Sequence, residues 1–177
     1  MLLAESGLGI LVGDLRKAHI RWKMTTPPAG GYIRFMALWD IYFHTKPNPG
    51  GEAAQINLMI FQKIRDDEGW FGLDTAGLQV VTFDGRPFRM RVSRWGAGTE
   101  RVVTLFLDPH TDYDFGTDDM TLDLKAVIDS LVGLGHLSTT TDYLTSIQAG
   151  WEIVSGGTYQ TLDFWTAVQN EADGAVY

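Results

Sequence analysis

Short runs in which apolar and polar residues alternate, separated by glycine, proline and aspartate, recur along most of this chain. The clearest run is residues 37–44. One face of an extended strand there carries Ala37, Trp39, Ile41 and Phe43, and the other carries Leu38, Asp40, Tyr42 and His44. Only a two-residue repeat gathers the apolar side chains on one face, so the pattern predicts a half-buried strand. Its second face places a carboxylate, a phenol and an imidazole side by side.

A second strand is predicted at residues 56–61, after the turn-rich stretch 46–51. Here Asn57, Met59 and Phe61 share the face opposite to the aliphatic residues, and the two strands are expected to form a hairpin or to be near neighbours. The dipeptide Asp84-Gly85 predicts a hairpin turn. Other strands are predicted at residues 19–25, 78–83, 88–94, 102–107, 144–154 and 159–168.

One helix interrupts this pattern, at residues 122–132, where an apolar stripe recurs at helical spacing. Asp119 or Thr121 is expected to cap its start, and Gly133 or Gly135 its end. Many strands with one helix predict an all-β fold, a β-jelly roll or concanavalin A-like sandwich of two antiparallel sheets.

The length of 177 residues suits a single domain, 1–177, in which residues 1–36 give only an uncertain strand pattern and residues 171–177 resemble a loose tail. The formal net charge of −8 argues against binding to nucleic-acid phosphates, so neutral partners such as sugars fit better. No stretch is long and apolar enough to span a membrane. The chain has no cysteine, which excludes disulfides and thiolate metal sites.

The C-terminal half resembles a known family. Residues 123–131 (DLKAVIDSL), residues 142–153 (DYLTSIQAGWEI) and the pair Gly156-Gly157 resemble glycoside hydrolase family 12, the β-jelly-roll endoglucanases. The order of elements also matches, from an Asp-bearing strand (LWDIYF) through a Met-Ile-aromatic strand (MIF), a hairpin and a helix to the strand containing Glu152. The resemblance covers about residues 37–168.

The resemblance implies a catalytic role for Glu152, the general acid/base of a retaining mechanism. It implies that Asp40 is the supporting carboxylate and that Met59 lines the site. The nucleophile position, two residues before Met59, is occupied by Asn57. Retaining hydrolysis needs two carboxyl groups about 5 to 5.5 Å apart, and a carboxamide is a weak nucleophile without charge, although it still hydrogen-bonds to sugar hydroxyls.

Several aromatic and polar residues are candidates for sugar contact. They are Trp22, Phe61, Trp70, Trp95, Gln148 and Trp151. Trp39 and Trp165 are instead expected in the core. Only 36 residues precede Ala37, fewer than in the family, which predicts an incomplete cleft.

Other chemistries find little support in the sequence. His110 with Asp108, Asp112 and Asp114 favours a solvated acidic loop, with a calcium site as the alternative. Arg89, Arg91 and Ser93 share one strand face, which suggests a solvated surface or a dock for an acidic partner. We expect no metal and no cofactor.

Three functions follow. The first is recognition of a polysaccharide or cell-surface glycan by a family 12-like domain whose hydrolysis is lost or weakened. The second is an active endo-β-1,4-glucanase, which is either a variant altered at Asn57 or a natural enzyme with a rearranged mechanism. In the rearranged mechanism Asp40 acts as base and Glu152 as acid in an inverting reaction across about 6.5 to 9.5 Å. The third is a structural role in a homo- or hetero-assembly, such as a phage tail. A glucanase would be extracellular, and an assembly component would belong to a virion or cell surface; fold alone does not decide.

Overall fold

The structure is a computed structural model that describes residues 8–27, 33–66, 75, 77–95, 100–108 and 114–170, with only the backbone at 114 and 115. Within these residues the chain forms eleven strands and one α-helix. The strands are β1 (Ile10–Leu11), β2 (Leu15–Thr25), β3 (Arg34–His44), β4 (Ile56–Asp66), β5 (Gln79–Phe83), β6 (Arg86–Trp95), β7 (Glu100–Leu107), β8 (Asp114–Gly116), β9 (Asp119–Asp123), β10 (Tyr143–Ser155) and β11 (Gln160–Asn170), and the helix is α1 (Leu124–Gly133). No helix in this part of the chain is long and apolar enough to cross a membrane.

The strands form two sheets packed face to face. The large sheet has the order β1-β10-β3-β4-β7-β6-β5, with β8 pairing to β4, and the small sheet has the order β11-β2-β9. This confirms the predicted jelly-roll sandwich. One pairing departs from the expected antiparallel arrangement, because β4 and β7 run parallel. In sequence, β4 and β7 are separated by the hairpin β5–β6 and by the segment that leads to it. After this excursion β7 returns to lie beside β4 in the same direction.

The core lies between the sheets and under the helix. From the large sheet it takes Phe35, Trp39, Ile41 and Phe43, each 0% exposed, and from the small sheet it takes Ile20 and Trp22. Trp39 donates from Nε1 to Gln62 Oε1 at 3.2 Å, and Gln62 Nε2 donates to the backbone oxygen of Trp22 at 2.9 Å. The buried amide of Gln62 thus satisfies polar groups of both sheets and fixes the position of one sheet on the other.

The helix begins two residues later than the sequence predicts. Leu122 is paired with Ile20 in the β2–β9 ladder, and Asp123, rather than Asp119 or Thr121, caps the helix by accepting a hydrogen bond from the Ala126 amide at 3.1 Å. Leu122 fits the apolar stripe of either element, which is why periodicity misplaced the start. At the other end, Gly135 takes the positive φ of 75° that ends the turn.

Two further predictions concern the turn at Asp84-Gly85 and the position of Trp165. The hairpin turn at Asp84-Gly85 is confirmed, with φ of 50° and 70° at the two residues. The core position of Trp165 is wrong, because this side chain is 38% exposed. Strand alternation places the neighbouring Phe164, not Trp165, on the face that meets the large sheet, where it stacks on Trp39 with ring centroids 5.2 Å apart but stays 45% exposed.

Candidate functional site

A cleft lies on the face of the large sheet that points away from the small sheet. It consists of two adjoining cavities of about 290 and 880 Å³, which share Tyr42, Asn57 and Trp95. The smaller cavity is also lined by Leu38, Asp40, Met59, Gly150, Trp151 and Glu152. The larger is also lined by His44, the turn residues Asn48 to Ala54, Glu100, Ser146 and Gln148.

Strand register explains why these residues meet. In the antiparallel pairs, Asp40 lies opposite Met59 on one side and Gln148 on the other, and Tyr42 lies opposite Asn57. Side chains directly opposite each other in a sheet share a face. The polar face of residues 37–44 and the Asn57 face of residues 56–61 therefore line one cleft, and the two strands are neighbours, as the sequence pattern predicted.

Asp40 is a half-buried carboxyl group at the centre of the smaller cavity. Burial raises its pKa above the usual value; the hydrogen bond from Asn57 lowers it, and the negative charge of Glu152 raises it. The Asn57 Nδ2 atom lies 3.5 Å from Asp40 Oδ1, at the long limit of a hydrogen bond. Asp40 therefore retains its proton to a higher pH than a solvated aspartate.

Glu152 and Asn57 differ in exposure. Glu152 is exposed on β10, yet its charge reaches Asp40 across the cavity. Asn57 is only 2% exposed, and among the described residues its Oδ1 atom has no hydrogen-bond partner. The site thus joins an accessible carboxylate, a partly buried carboxyl group and a buried amide with an unsatisfied acceptor.

One aromatic ring borders this polar group in the cleft, whereas a second predicted ring lies on the inner side of the sheet. Trp95 is 51% exposed at the end of β6 and lines both cavities. Trp151 is among the residues that line the smaller cavity, but it lies opposite Ala37 on the inner face of the sheet, where its half-buried ring packs on Trp22 at a centroid distance of 5.1 Å. Its ring therefore faces the core, contrary to the predicted sugar contact. The pKa of the Tyr42 phenol is raised by burial first and then by the negative charges of Asp40 and Glu100. It therefore stays a hydrogen-bond donor at neutral pH.

The remaining predicted contact residues are divided between cleft and core. Met59 lines the smaller cavity and Gln148 the larger. Trp22 is 2% exposed inside the sandwich, so its predicted sugar contact is wrong. Phe61 is 5% exposed and stacks on Phe106 beneath the cleft, where it supports Met59 rather than a ligand. Trp70 lies outside the described residues.

Two features of the site were missed by the sequence reasoning. Glu100 lies opposite Trp95 at the start of β7 and lines the larger cavity; extending the alternation of residues 102–107 backwards by two positions would have found it. His44 lies 2.7 Å from Thr145 Oγ1 through Nδ1 and 3.2 Å from the Glu52 backbone oxygen through Nε2. It thereby fixes the turn that walls the larger cavity, a contact between strand and turn that no sequence spacing indicates.

Other predicted features lie away from the cleft lining. Asp108 is paired with Arg89 at 2.7 Å, while His110 and Asp112 lie outside the described residues. Among the described residues, no group of three or more His, Asp or Glu side chains is placed to hold a metal ion. Arg91 lies over the Phe106 ring at 5.6 Å, so its face of β6 is partly packed rather than fully solvated.

Solved structures similar to this chain include family 12 glycoside hydrolases. A metagenome-derived family 12 endoglucanase matches with a TM-score of 0.74 and 23% identity, over 94% of this chain and 67% of that one. Endoglucanase Cel12A from Rhodothermus marinus matches with a TM-score of 0.71 and 25% identity, over 94% and 68%. A family 12 xyloglucanase from Bacillus licheniformis matches with a TM-score of 0.69 and 16% identity, over 90% and 66%.

The chain therefore has the fold of family 12 glycoside hydrolases, as the sequence motifs predicted. It spans about two thirds of the length of the first matched structures, 67% and 68%. No protein-family model and no curated protein matches the sequence. The roles of Asp40, Asn57 and Glu152 are not settled by likeness of fold and remain predictions.

Proposed function

We propose that this protein binds a β-glucan-type polysaccharide in the cleft lined by Trp95 and Glu152 and does not cleave it by a retaining mechanism. The observation that carries the proposal is that Asn57, an amide, lines the cleft beside Asp40 where a retaining enzyme of this fold is expected to have a carboxylate. The fold, together with the endoglucanases and the xyloglucanase that share it, supports a polysaccharide as the ligand class.

The lining suits a neutral sugar chain. A pyranose ring presents apolar C–H faces and polar hydroxyl edges, which match exposed aromatic rings and scattered acceptors and donors. Trp95 provides an exposed ring, and Tyr42, Gln148 and Ser146 provide polar atoms in the same cleft. An open cavity of about 880 Å³ accommodates more than one sugar unit.

The residues of the cleft are poorly suited to covalent catalysis. A retaining reaction requires a carboxylate that attacks the anomeric carbon and another that protonates the leaving oxygen. Glu152 is exposed and able to take the second role, but Asn57 has no negative charge with which to form or stabilise the intermediate. Asp40, the nearest carboxyl group to Asn57, is hydrogen-bonded to it and has a raised pKa, which opposes service as an anionic nucleophile.

The test compares hydrolysis of soluble β-1,4- and mixed-linkage glucans by the unmodified chain, Asn57→Glu and Glu152→Gln, with binding measured on the same samples. We expect binding without measurable hydrolysis in the unmodified chain and activity in Asn57→Glu. Activity in the unmodified chain that Glu152→Gln abolishes would overturn the non-hydrolytic proposal and establish an enzyme with an unusual base. Absence of binding by all three proteins would overturn polysaccharide recognition and leave an assembly role.

A further inference from the structure

The larger cavity is marked by the acidic residues in its lining. Its described lining contains Glu100, Glu52 and no lysine or arginine, and Asp40 lies beyond Tyr42 in the adjoining cavity. Glu52 is neutralised by an ion pair with Lys46 at the rim, whereas no ion pair is found for Glu100 among the described residues. The floor of the cavity therefore has an excess of negative charge, centred on Glu100.

Asn57 adds a second and independent feature at the boundary of the two cavities. Its side chain is 2% exposed, it lines both cavities, and its Oδ1 atom has no donor among the described residues. A buried acceptor without a partner is costly, so a bound ligand that brings a donor gains affinity from satisfying it. A ligand group that complements both the amide oxygen and Glu100 would donate hydrogen bonds and carry a positive charge.

An ammonium group meets this requirement better than a hydroxyl group. It has three N–H donors and a full positive charge, which match an amide oxygen and a carboxylate that line the same cavity. Trp95 and Tyr42, which border the same cavity, offer ring faces to a cation. A carboxylate or sulfate on the ligand would instead meet repulsion.

We propose that the larger cavity is a subsite for a protonated amino sugar, in which the ammonium group of a glucosamine unit donates to Glu100 and Asn57. This inference rests on the proposed polysaccharide-binding function and specifies its ligand: a β-1,4-linked chain containing glucosamine. Glu100 acts as the specificity-determining residue, and the exposed ring of Trp95 covers the cationic unit.

The experiment compares three tetrasaccharides that share the β-1,4 backbone and differ only at carbon 2. Cellotetraose has a hydroxyl group there, the glucosamine tetramer an ammonium group, and the N-acetylglucosamine tetramer a neutral acetamide. Binding of each is measured by calorimetry at mildly acidic pH, where the amine is protonated. We expect the glucosamine tetramer to bind at least about tenfold more tightly than either neutral chain, and its affinity alone to fall as salt is added.

Two variants separate a specific subsite from general attraction to an acidic protein. Glu100→Gln and Asp129→Asn each remove one negative charge, but Asp129 lies on α1, is paired with Lys125 and lines neither cavity. Glu100→Gln is expected to weaken the glucosamine tetramer about tenfold and cellotetraose by a clearly smaller factor, while Asp129→Asn changes neither. Should Glu100→Gln not fold, the salt dependence and the comparison with the acetylated tetramer still decide.

The outcomes distinguish this inference from the proposed function. Equal or tighter binding of cellotetraose would overturn the amino-sugar subsite and leave polysaccharide recognition standing. A preference for the glucosamine tetramer that both variants reduce equally would also overturn it, because general charge attraction would then be the cause. Absence of binding by all three tetrasaccharides would overturn the proposed function itself.

Discussion

The two faces of β3 have different roles: one stabilises the fold and the other lines the cleft. On the inner face, Phe35, Trp39 and Phe43 are each 0% exposed and belong to the main hydrophobic core. On the cleft face, Asp40 and Tyr42 are half-buried, and burial raises the pKa of both. The inner face stabilises the fold with apolar contacts, whereas the cleft face holds polar groups away from water at a cost that a ligand can offset. Substitutions on the inner face should therefore lower the free energy of unfolding, whereas those on the cleft face should mainly change ligand binding.

The largest effect is expected from Trp39→Ala on the inner face. The change removes a fully buried ring that stacks on Phe164 and meets Trp22 edge to face, so it should lower the free energy of unfolding by about 3–5 kcal/mol. Urea denaturation followed by circular dichroism measures this loss. A loss below about 1 kcal/mol would show that the inner face is not tightly packed and would break the comparison.

The next largest effect is expected from loss of the buried hydrogen bonds of Gln62. Gln62→Leu keeps a similar volume but leaves Trp39 Nε1 and the Trp22 backbone oxygen without their partner, which should cost about 1–3 kcal/mol. The measurement is again urea denaturation, with Gln148→Leu on the exposed cleft face as the matched control. Equal stability of the two variants would contradict the role of Gln62 in joining the sheets.

A smaller and different effect is expected from Trp95→Ala on the cleft side. Because this ring is 51% exposed, its removal should change stability by no more than about 0.5 kcal/mol, while binding of the proposed glycan weakens about tenfold. Calorimetric titration and thermal unfolding on one sample measure both quantities. Loss of stability without loss of binding would reverse the assignment of the two faces.

The smallest effect concerns the pH dependence of Asp40. Because its folded-state pKa is raised, the protonated form is favoured by folding; that stabilising contribution is fully present below the usual value of 3.8 and is lost as the pH rises through the raised pKa. Asp40→Asn should therefore match the unmodified chain at low pH and be the more stable protein at pH 7. Melting temperatures across this range check the sign, with Asp129→Asn on the exposed helix surface as control. A gain that does not change with pH would contradict the desolvated carboxyl group.

Much of the site followed from alternation alone. The pattern at residues 37–44 put Asp40 and Tyr42 on the face opposite Trp39, and the pattern at 56–61 put Asn57 and Met59 together; the register confirms both. Trp22 shows the limit of this reasoning. An isolated tryptophan on a strand fits a core or a cleft equally well, and only the packing of the small sheet under β3 decided that its ring is buried.

The sequence by itself determined the β-sandwich, its single helix and the polar face from which the cleft is built, because these depend on local periodicity and turn chemistry. Tertiary structure alone decided the parallel pairing of β4 with β7 and the start of α1. It also decided that Glu100 joins Asn57 in one cavity. The reason is physical: a strand's period fixes which residues share its own face, but the neighbour it meets is fixed by chain topology and by the desolvation of groups far apart in sequence.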